Sequence, residues 1–185
     1  WDFQLDPNDG ANISAIQDWR TAQVPLPWQA QFDDLRLIDG VAWYRRNFAY
    51  TPNGHAGVAI LHFGAVDYFA QVWLNGRKLG EHEGGYLPFT VDLTPDLRWD
   101  TDNLLAVRLD NRDKPFIPPG KPLENLDFTY AGGLYRNVSL LVTDPLHIAD
   151  GGVFVRTESL SATEAVVFAQ ADVDGDATAE VRFTI

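Results

Sequence analysis

The amino-acid sequence predicts an all-β protein, an antiparallel sandwich of the jelly-roll type, and three observations carry that prediction. Short apolar runs alternate with a period of two, Gly, Pro and Asn turns separate them, and no long segment with a 3.6-residue period competes. A parallel sheet would need crossover helices between its strands, and none is legible.

Residues 1–40 read as mostly irregular, punctuated by Pro25, Pro27 and Gly40, with one short helix expected at SAIQDW and Ser14 as its cap. VAWYRRNFAY, from Val41 to Tyr50, is the first clear strand. Tyr44, Phe48 and Tyr50 share one face, and Trp43, Arg45 and Asn47 share the other. GVAILHF is apolar at both phases, the pattern of a strand covered from two sides. YFAQVWLNGRKLG has the form of a hairpin, with Tyr68, Ala70, Val72 and Leu74 in phase ahead of Asn75-Gly76, a pair that tolerates the positive φ angles of a type I′ turn. LLAVRLD and RNVSLLVT each place alternate apolar residues on one face, as half-buried strands do.

The chain changes after Asp144-Pro145. GGVFVRT, EAVVFAQADV and AEVRFTI are three strand-like runs, whereas an immunoglobulin-like sandwich has about seven strands. The expected organisation is therefore a jelly-roll domain at 1–145, followed at 146–185 by the incomplete start of an immunoglobulin-like second domain. Three strands leave Val153, Val155, Val167 and Ala169 without an opposing sheet and leave strand edges open, so pairing with a second copy, a homo-oligomer, is expected to cover them.

Composition excludes several function classes. Apolar residues make up 45%, ample for a packed core, and 14 Lys plus Arg against 26 Asp plus Glu give a net charge of −12. That sign opposes phosphate binding, so no nucleic acid is expected as a partner. No apolar run approaches the length of a membrane span, so no membrane partner is expected either, and WDFQLDPND lacks the order of a signal peptide. The numbering begins at Trp1 without a Met, which leaves the compartment, cytoplasmic or secreted, open. Cysteine is absent, which removes disulfides and thiolate chemistry.

The residue patterns that resemble catalytic or metal motifs read as turns. His82-Glu83-Gly84-Gly85-Tyr86 holds one His and one acid, too few for a ligand set, and its glycines suit a tight bend. Asp172, Asp174 and Asp176 alternate as in a calcium loop, yet Ala177 stands where Gly is needed and Phe183 where a bidentate Glu is needed; a hairpin turn is expected. No nucleophile-and-base constellation and no phosphate-binding loop is present. No cofactor, no metal site and no catalytic residue is expected within the chain.

Four segments carry a resemblance: the stretch from Val24 to Phe48 with VPLPWQ, QFDD and GVAWYRRNF, the run FGAVDYFAQVWLNGRKLGEHEGGYLPFTVDLT, the turn IPPGK, and LDFTYAGGLYRNVSL. In that order, from about Trp19 to Asp144, they resemble the N-terminal domain of family 2 glycoside hydrolases, the β-galactosidases, β-glucuronidases and β-mannosidases. The resemblance implies a galactose-binding-like jelly roll, then an immunoglobulin-like sandwich, then a (β/α)₈ barrel that holds both catalytic carboxylates of a retaining O-glycosyl hydrolase. It implies that these residues form a non-catalytic domain, cut off shortly after the second domain begins. Its partners would be the downstream catalytic domain, which it buttresses, and carbohydrate bound by the full-length enzyme.

One site residue follows from the resemblance. The family carries an Asp about nine residues ahead of the Arg of the GLYR-like motif, which hydrogen-bonds the sugar; in LDFTYAGGLYR that residue is Asp127. A loop carboxylate accepting hydrogen bonds from sugar hydroxyls agrees with that role. Where one β-galactosidase branch has a sugar-holding Asn ahead of the WYRR-like strand, DDLRLIDG offers none, while QFDD and WYRR are nearer the glucuronidase-like branch. Two other functions remain open on the residues alone. One is a stand-alone carbohydrate-binding module using Trp28, Trp73 or Trp99 as an aromatic platform, and the other is an assembly domain.

Overall fold

A computed structural model of the chain describes residues 1–10, 12–51, 57–113 and 131–184. The strands are β1 (Asp2–Leu5), β2 (Arg20–Thr21), β3 (Val41–Ala49), β4 (Val58–Phe63), β5 (Phe69–Leu74), β6 (Arg77–Glu83), β7 (Phe89–Asp92), β8 (Asp102–Asp110), β9 (Val138–Thr143), β10 (His147–Leu160) and β11 (Ala165–Asp174). Among the described residues the one α-helix is α1, Trp28–Gln31. The fold is an all-β jelly roll.

A six-stranded antiparallel sheet runs β2-β1-β3-β8-β5-β6 and a three-stranded sheet runs β7-β4-β9. Period-two alternation decides which side chains enter the core. Ala42 and Tyr44 of β3, Ala70, Val72 and Leu74 of β5, and Leu105, Val107 and Leu109 of β8 are buried from the large sheet; Ala59, Leu61 and Phe63 of β4 and Val91 of β7 are buried from the small one. The sheets meet closely. A Cβ on Gly80 would lie 3.6 Å from Val91, and Phe89 stacks between Phe63 at 4.6 Å and His82 at 4.2 Å. On the outer face of the large sheet Trp43, Ala106, Arg108 and Asp110 are also buried. Asp9 of the N-terminal loop pairs with Arg108 there, and Trp73 lies 5.0 Å from Trp43.

Several local expectations need correction. The N-terminal region contains β1, whose residues pair in register with Trp43, Tyr44 and Arg45 of β3, a long-range contact that no local pattern announces. The expected helix at SAIQDW is a 3₁₀ turn over Ile13–Ala15, and its cap is Asn12, whose Oδ1 accepts from Ser14 N at 3.0 Å. Val58, Ile60 and His62 of β4 are half-buried, so the strand is covered fully on one side only. The return strand of the hairpin is longer than RKLG and continues to Glu83.

The chain divides into two compact units, residues 1–55 with 59–141, and 56–58 with 142–185. The second unit holds the antiparallel hairpin β10-β11. Its apolar side chains are open, with Val153 58%, Phe154 54% and Val155 59% exposed. AEVRFTI, expected as a third strand, has none over its described residues, so no returning strand completes a hairpin around Asp174 and Asp176.

Candidate functional site

The loops at one end of the six-stranded sheet gather polar side chains that the sequence scatters. Residues 36–40 lead into β3, residues 64–68 lead into β5, residues 84–88 join β6 to β7, and residues 131–137 lead into β9. Trp28, 0% exposed, forms the floor. Its backbone N–H donates to Gly132 O at 3.2 Å, and its indole Nε1 donates to Ile38 O at 3.0 Å, so one residue ties two loops. Gly132 and Gly133 cross above it where only glycine fits. A Cβ on Gly132 would lie 2.5 Å from the Trp28 ring and one on Gly133 2.5 Å from the Tyr44 hydroxyl, and Gly133 also has φ +112°.

Asn111, 2% exposed just past β8, is tied by hydrogen bonds to the loop ahead of β3. Its Oδ1 accepts from Gly40 N at 2.8 Å and its Nδ2 donates to Asp39 Oδ1 at 3.1 Å. Asp67, 5% exposed, exchanges two backbone hydrogen bonds with Gly133, at 3.2 and 3.0 Å. Next to it, Gly84 N donates to Tyr68 O, and the Tyr135 hydroxyl donates to Gly85 O. A Cβ on Gly85 would sit 3.4 Å from Asp67 Oδ2, so the glycine bend packs directly on that carboxyl.

This packing sets the electrostatics. Burial pushes the Asp67 carboxyl up to about 7, with the negative charge of Asp39 adding to the shift. Burial also raises Asp39, against the hydrogen bond from Asn111. The phenols of Tyr86 and Tyr135 are raised by burial, with the charge of Asp67 contributing to each. Asp67 Oδ1 is buried without a hydrogen-bond partner among the described residues, whereas Tyr86 is 53% exposed and Leu87 70%. The end can therefore offer hydroxyl-bearing ligands the half-buried Asp39 carboxyl as an acceptor and the Tyr86 phenol as a donor on an exposed aromatic ring, the Tyr135 proton being committed to Gly85 O.

The family model described as "Glycosyl hydrolases family 2, sugar binding domain" matches residues 1–145. The chain belongs to this family. It is 33% identical over 181 residues to the β-galactosidase BoGH2A of Bacteroides ovatus, covering 90% of this chain and 20% of that protein. A β-glucuronidase of Bacteroides fragilis is 32% identical over 179 residues, covering 91% of this chain and 25% of the relative. Among solved structures, Bacteroides uniformis β-glucuronidase 2, covalently bound to cyclophellitol-6-carboxylate aziridine, superposes with a TM-score of 0.80 at 32% identity over 96% of this chain and 22% of its own. The chain thus spans about a fifth to a quarter of the length of these three relatives, and its described residues contain no (β/α)₈ barrel.

Asp127, the site residue implied by resemblance, lies outside the described residues. What the structure does place is the pair of flanks: a Cβ on Gly132 would come 2.4 Å from Asn111 Nδ2, so the chain on either side of 114–130 converges at the loop end. DDLRLIDG offers no Asn, but it brings Asp39 there. Asp39, Asp67, Asn111, Tyr86 and Tyr135 were not singled out as site residues by sequence reasoning. For Asp67 a signal existed, one acid inside the apolar stretch FGAVDYFAQV.

The other sequence candidates lie elsewhere or do other work. Asn75 and Gly76 have φ of 52° and 87°, as the type I′ turn requires. His82 stacks on Phe89, and Gly84 makes the bend with φ +136°. Among the described residues no group of three or more His, Cys, Asp or Glu is placed to hold a metal ion, and no helix is long and apolar enough to cross a membrane. Of the three tryptophans weighed as a platform, Trp28 is wholly buried, Trp73 packs on Trp43, and Trp99 meets Tyr50 edge-on at 5.9 Å.

Proposed function

We propose that this sugar-binding domain acts as the non-catalytic N-terminal part of a retaining O-glycosyl hydrolase, buttressing the barrel of the longer protein and presenting its loop end to bound sugar. The observation that carries the reading is the convergence of Asp39, Asp67, Asn111, Tyr86 and Tyr135 with both flanks of the segment containing Asp127. In this reading Asp127 accepts hydrogen bonds from sugar hydroxyls. The two carboxyl groups of retaining hydrolysis, about 5 Å apart, are supplied by the barrel.

Two further features support the same reading. Leu37 at 84%, Ile38 at 41% and Leu87 at 70% exposure ring the loop end with apolar side chains, which suit packing against another domain. The hairpin β10-β11, with Val153, Phe154 and Val155 exposed, fits the start of an immunoglobulin-like sandwich whose opposing sheet lies elsewhere in the protein or in a second copy.

In the full-length enzyme, Asp127→Ala is expected to lower kcat/KM for an aryl glycoside by about 10- to 100-fold, the loss of one or two charge-assisted hydrogen bonds, with an unchanged melting temperature. An unchanged kcat/KM removes Asp127 from the site. The 185-residue chain alone is expected to turn over no aryl glycoside.

A further inference from the structure

We infer that Asp67 is a positioning residue for sugar binding: it joins the loop ahead of β5 to the Gly84-Gly85 bend and to Gly132-Gly133, and so sets the spacing of Tyr86 and Tyr135, the side chains a glycoside meets at this end. The inference deepens the functional reading above and rests on it.

The geometry has three parts. The main chain of Asp67 holds Gly133 by an exchanged pair of hydrogen bonds, and Gly133 cannot shift inward because Tyr44 and Trp28 lie beneath it. The carboxyl of Asp67 packs on Gly85, one residue ahead of the half-exposed Tyr86. Gly85 in turn accepts from the Tyr135 hydroxyl, which closes the set, since Tyr135 lies two residues beyond Gly133. A change in how the Asp67 carboxyl occupies its space therefore moves both tyrosines relative to one another.

That carboxyl has a chemical reason to change. It is 5% exposed, and Oδ1 has no partner among the described residues. Among the described residues the groups that face it bring no compensating cation: Asp39 comes from the loop ahead of β3, Tyr86 from the β6–β7 bend and Tyr135 from the run ahead of β9, while Arg136 lies over the Tyr135 ring at 5.7 Å. Protonated, the carboxyl is a neutral group packed between glycines. Ionised, it is a buried charge that draws water or pushes against Asp39, and the loops it joins separate.

The test uses the full-length enzyme and an aryl glycoside substrate, with kcat and KM measured from pH 5.5 to 8.5. In the wild type KM is expected to rise severalfold on the alkaline side while kcat follows the catalytic carboxyls alone. Asp67→Asn keeps the shape without the charge and is expected to flatten the KM profile. A KM profile in Asp67→Asn that parallels the wild type overturns the inference. Should Asp67→Asn fail to fold, wild-type carboxyl and aromatic NMR shifts decide: the ring resonances of Tyr86 and Tyr135 are expected to shift as Asp67 ionises while their phenols stay protonated, and their indifference overturns it. A substrate-analogue titration separates the two levels. If the sugar leaves Tyr86 and Tyr135 unmoved, the functional reading falls and this inference with it; if the sugar moves them but Asp67→Asn keeps the wild-type KM profile, this inference alone falls.

Discussion

Strand β5 ends in two polar clusters that are satisfied to different degrees. At its C-terminal end Asn103, 1% exposed, has both ends of its amide in use: Oδ1 accepts from Asn75 Nδ2 at 2.9 Å and Arg98 N at 2.9 Å, and Nδ2 donates to Arg98 O at 2.8 Å and Thr101 O at 3.0 Å. Asn75 completes the cluster, accepting from Leu104 N at 3.1 Å and donating to Asp96 O at 3.1 Å. At its N-terminal end Asp67 is buried too, yet one oxygen has no partner among the described residues and burial pushes the carboxyl up to about 7. Buried amides with all bonds made stabilise a fold, whereas a buried acid left partly unsatisfied costs stability and marks a place kept for function. The difference separates the end whose amides hold the sandwich together from the end proposed above to face sugar.

The largest expected effect tests whether the loop end has a rigid base. Trp28→Ala empties a wholly buried volume against Phe3 and removes the bond to Ile38 O. A loss of about 3 to 5 kcal/mol is expected by urea denaturation. A loss below about 1 kcal/mol would mean that the loops are held without their tryptophan floor.

Asp67→Asn comes next and probes the cost of the unsatisfied acid. The folded carboxyl is raised to about 7 from its ordinary 3.8, so the proton is held more tightly in the folded chain. Its contribution is complete below about pH 4 and is lost as pH rises through about 7. The Asn variant cannot ionise, and it is expected to gain about 2 to 4 kcal/mol over wild type at pH 8 and almost nothing at pH 4. Paired denaturation curves at the two pH values check this; a difference independent of pH would show that Asp67 does not titrate in the folded chain.

How these clusters arise explains what the sequence could reveal. Strands β3, β5 and β8 are legible because apolar residues recur at alternate positions within each run, and β6 is legible in its first residues as the return from Asn75-Gly76, where the turn needs positive φ at both positions. β1 is not, because DFQL owes its strand character to pairing with β3 rather than to its own pattern. AEVRFTI has alternation without a strand, since pattern alone supplies no partner edge. The loop end was hidden for the same reason on a larger scale: Asp39 and Asn111, 72 residues apart, meet only through the register of β3 against β8. Asp127 is proposed on family resemblance alone, because no local sequence pattern singles it out.

On the satisfied end, Asn103→Ala is expected to cost about 2 to 3 kcal/mol, since it leaves Asn75 Nδ2 one acceptor short and orphans Arg98 N and two carbonyls. Thermal melts alongside Trp28→Ala check the order of the two. A smaller loss than about 1 kcal/mol would mean that water replaces the amide and that this end is not closed.

The smallest expected effect separates buried amides from surface charge at that same end. Arg77 Nη1 meets Asp96 Oδ1 at 2.8 Å, but the Arg77 side chain is 69% exposed, so the pair is screened and its formation costs side-chain entropy. Asp96 does its structural work through its backbone carbonyl, which accepts from Asn75 and is untouched by removing the guanidinium. Arg77→Ala is therefore expected to shift stability by about 0.5 kcal/mol or less, shrinking further in 0.5 M salt. Melting curves at low and high salt check it. A salt-sensitive loss of more than about 1 kcal/mol would show that the turn end is held by charge as well as by its amides, and the contrast between the two ends of β5 would then lie in which charges are paired rather than in hydrogen-bond satisfaction.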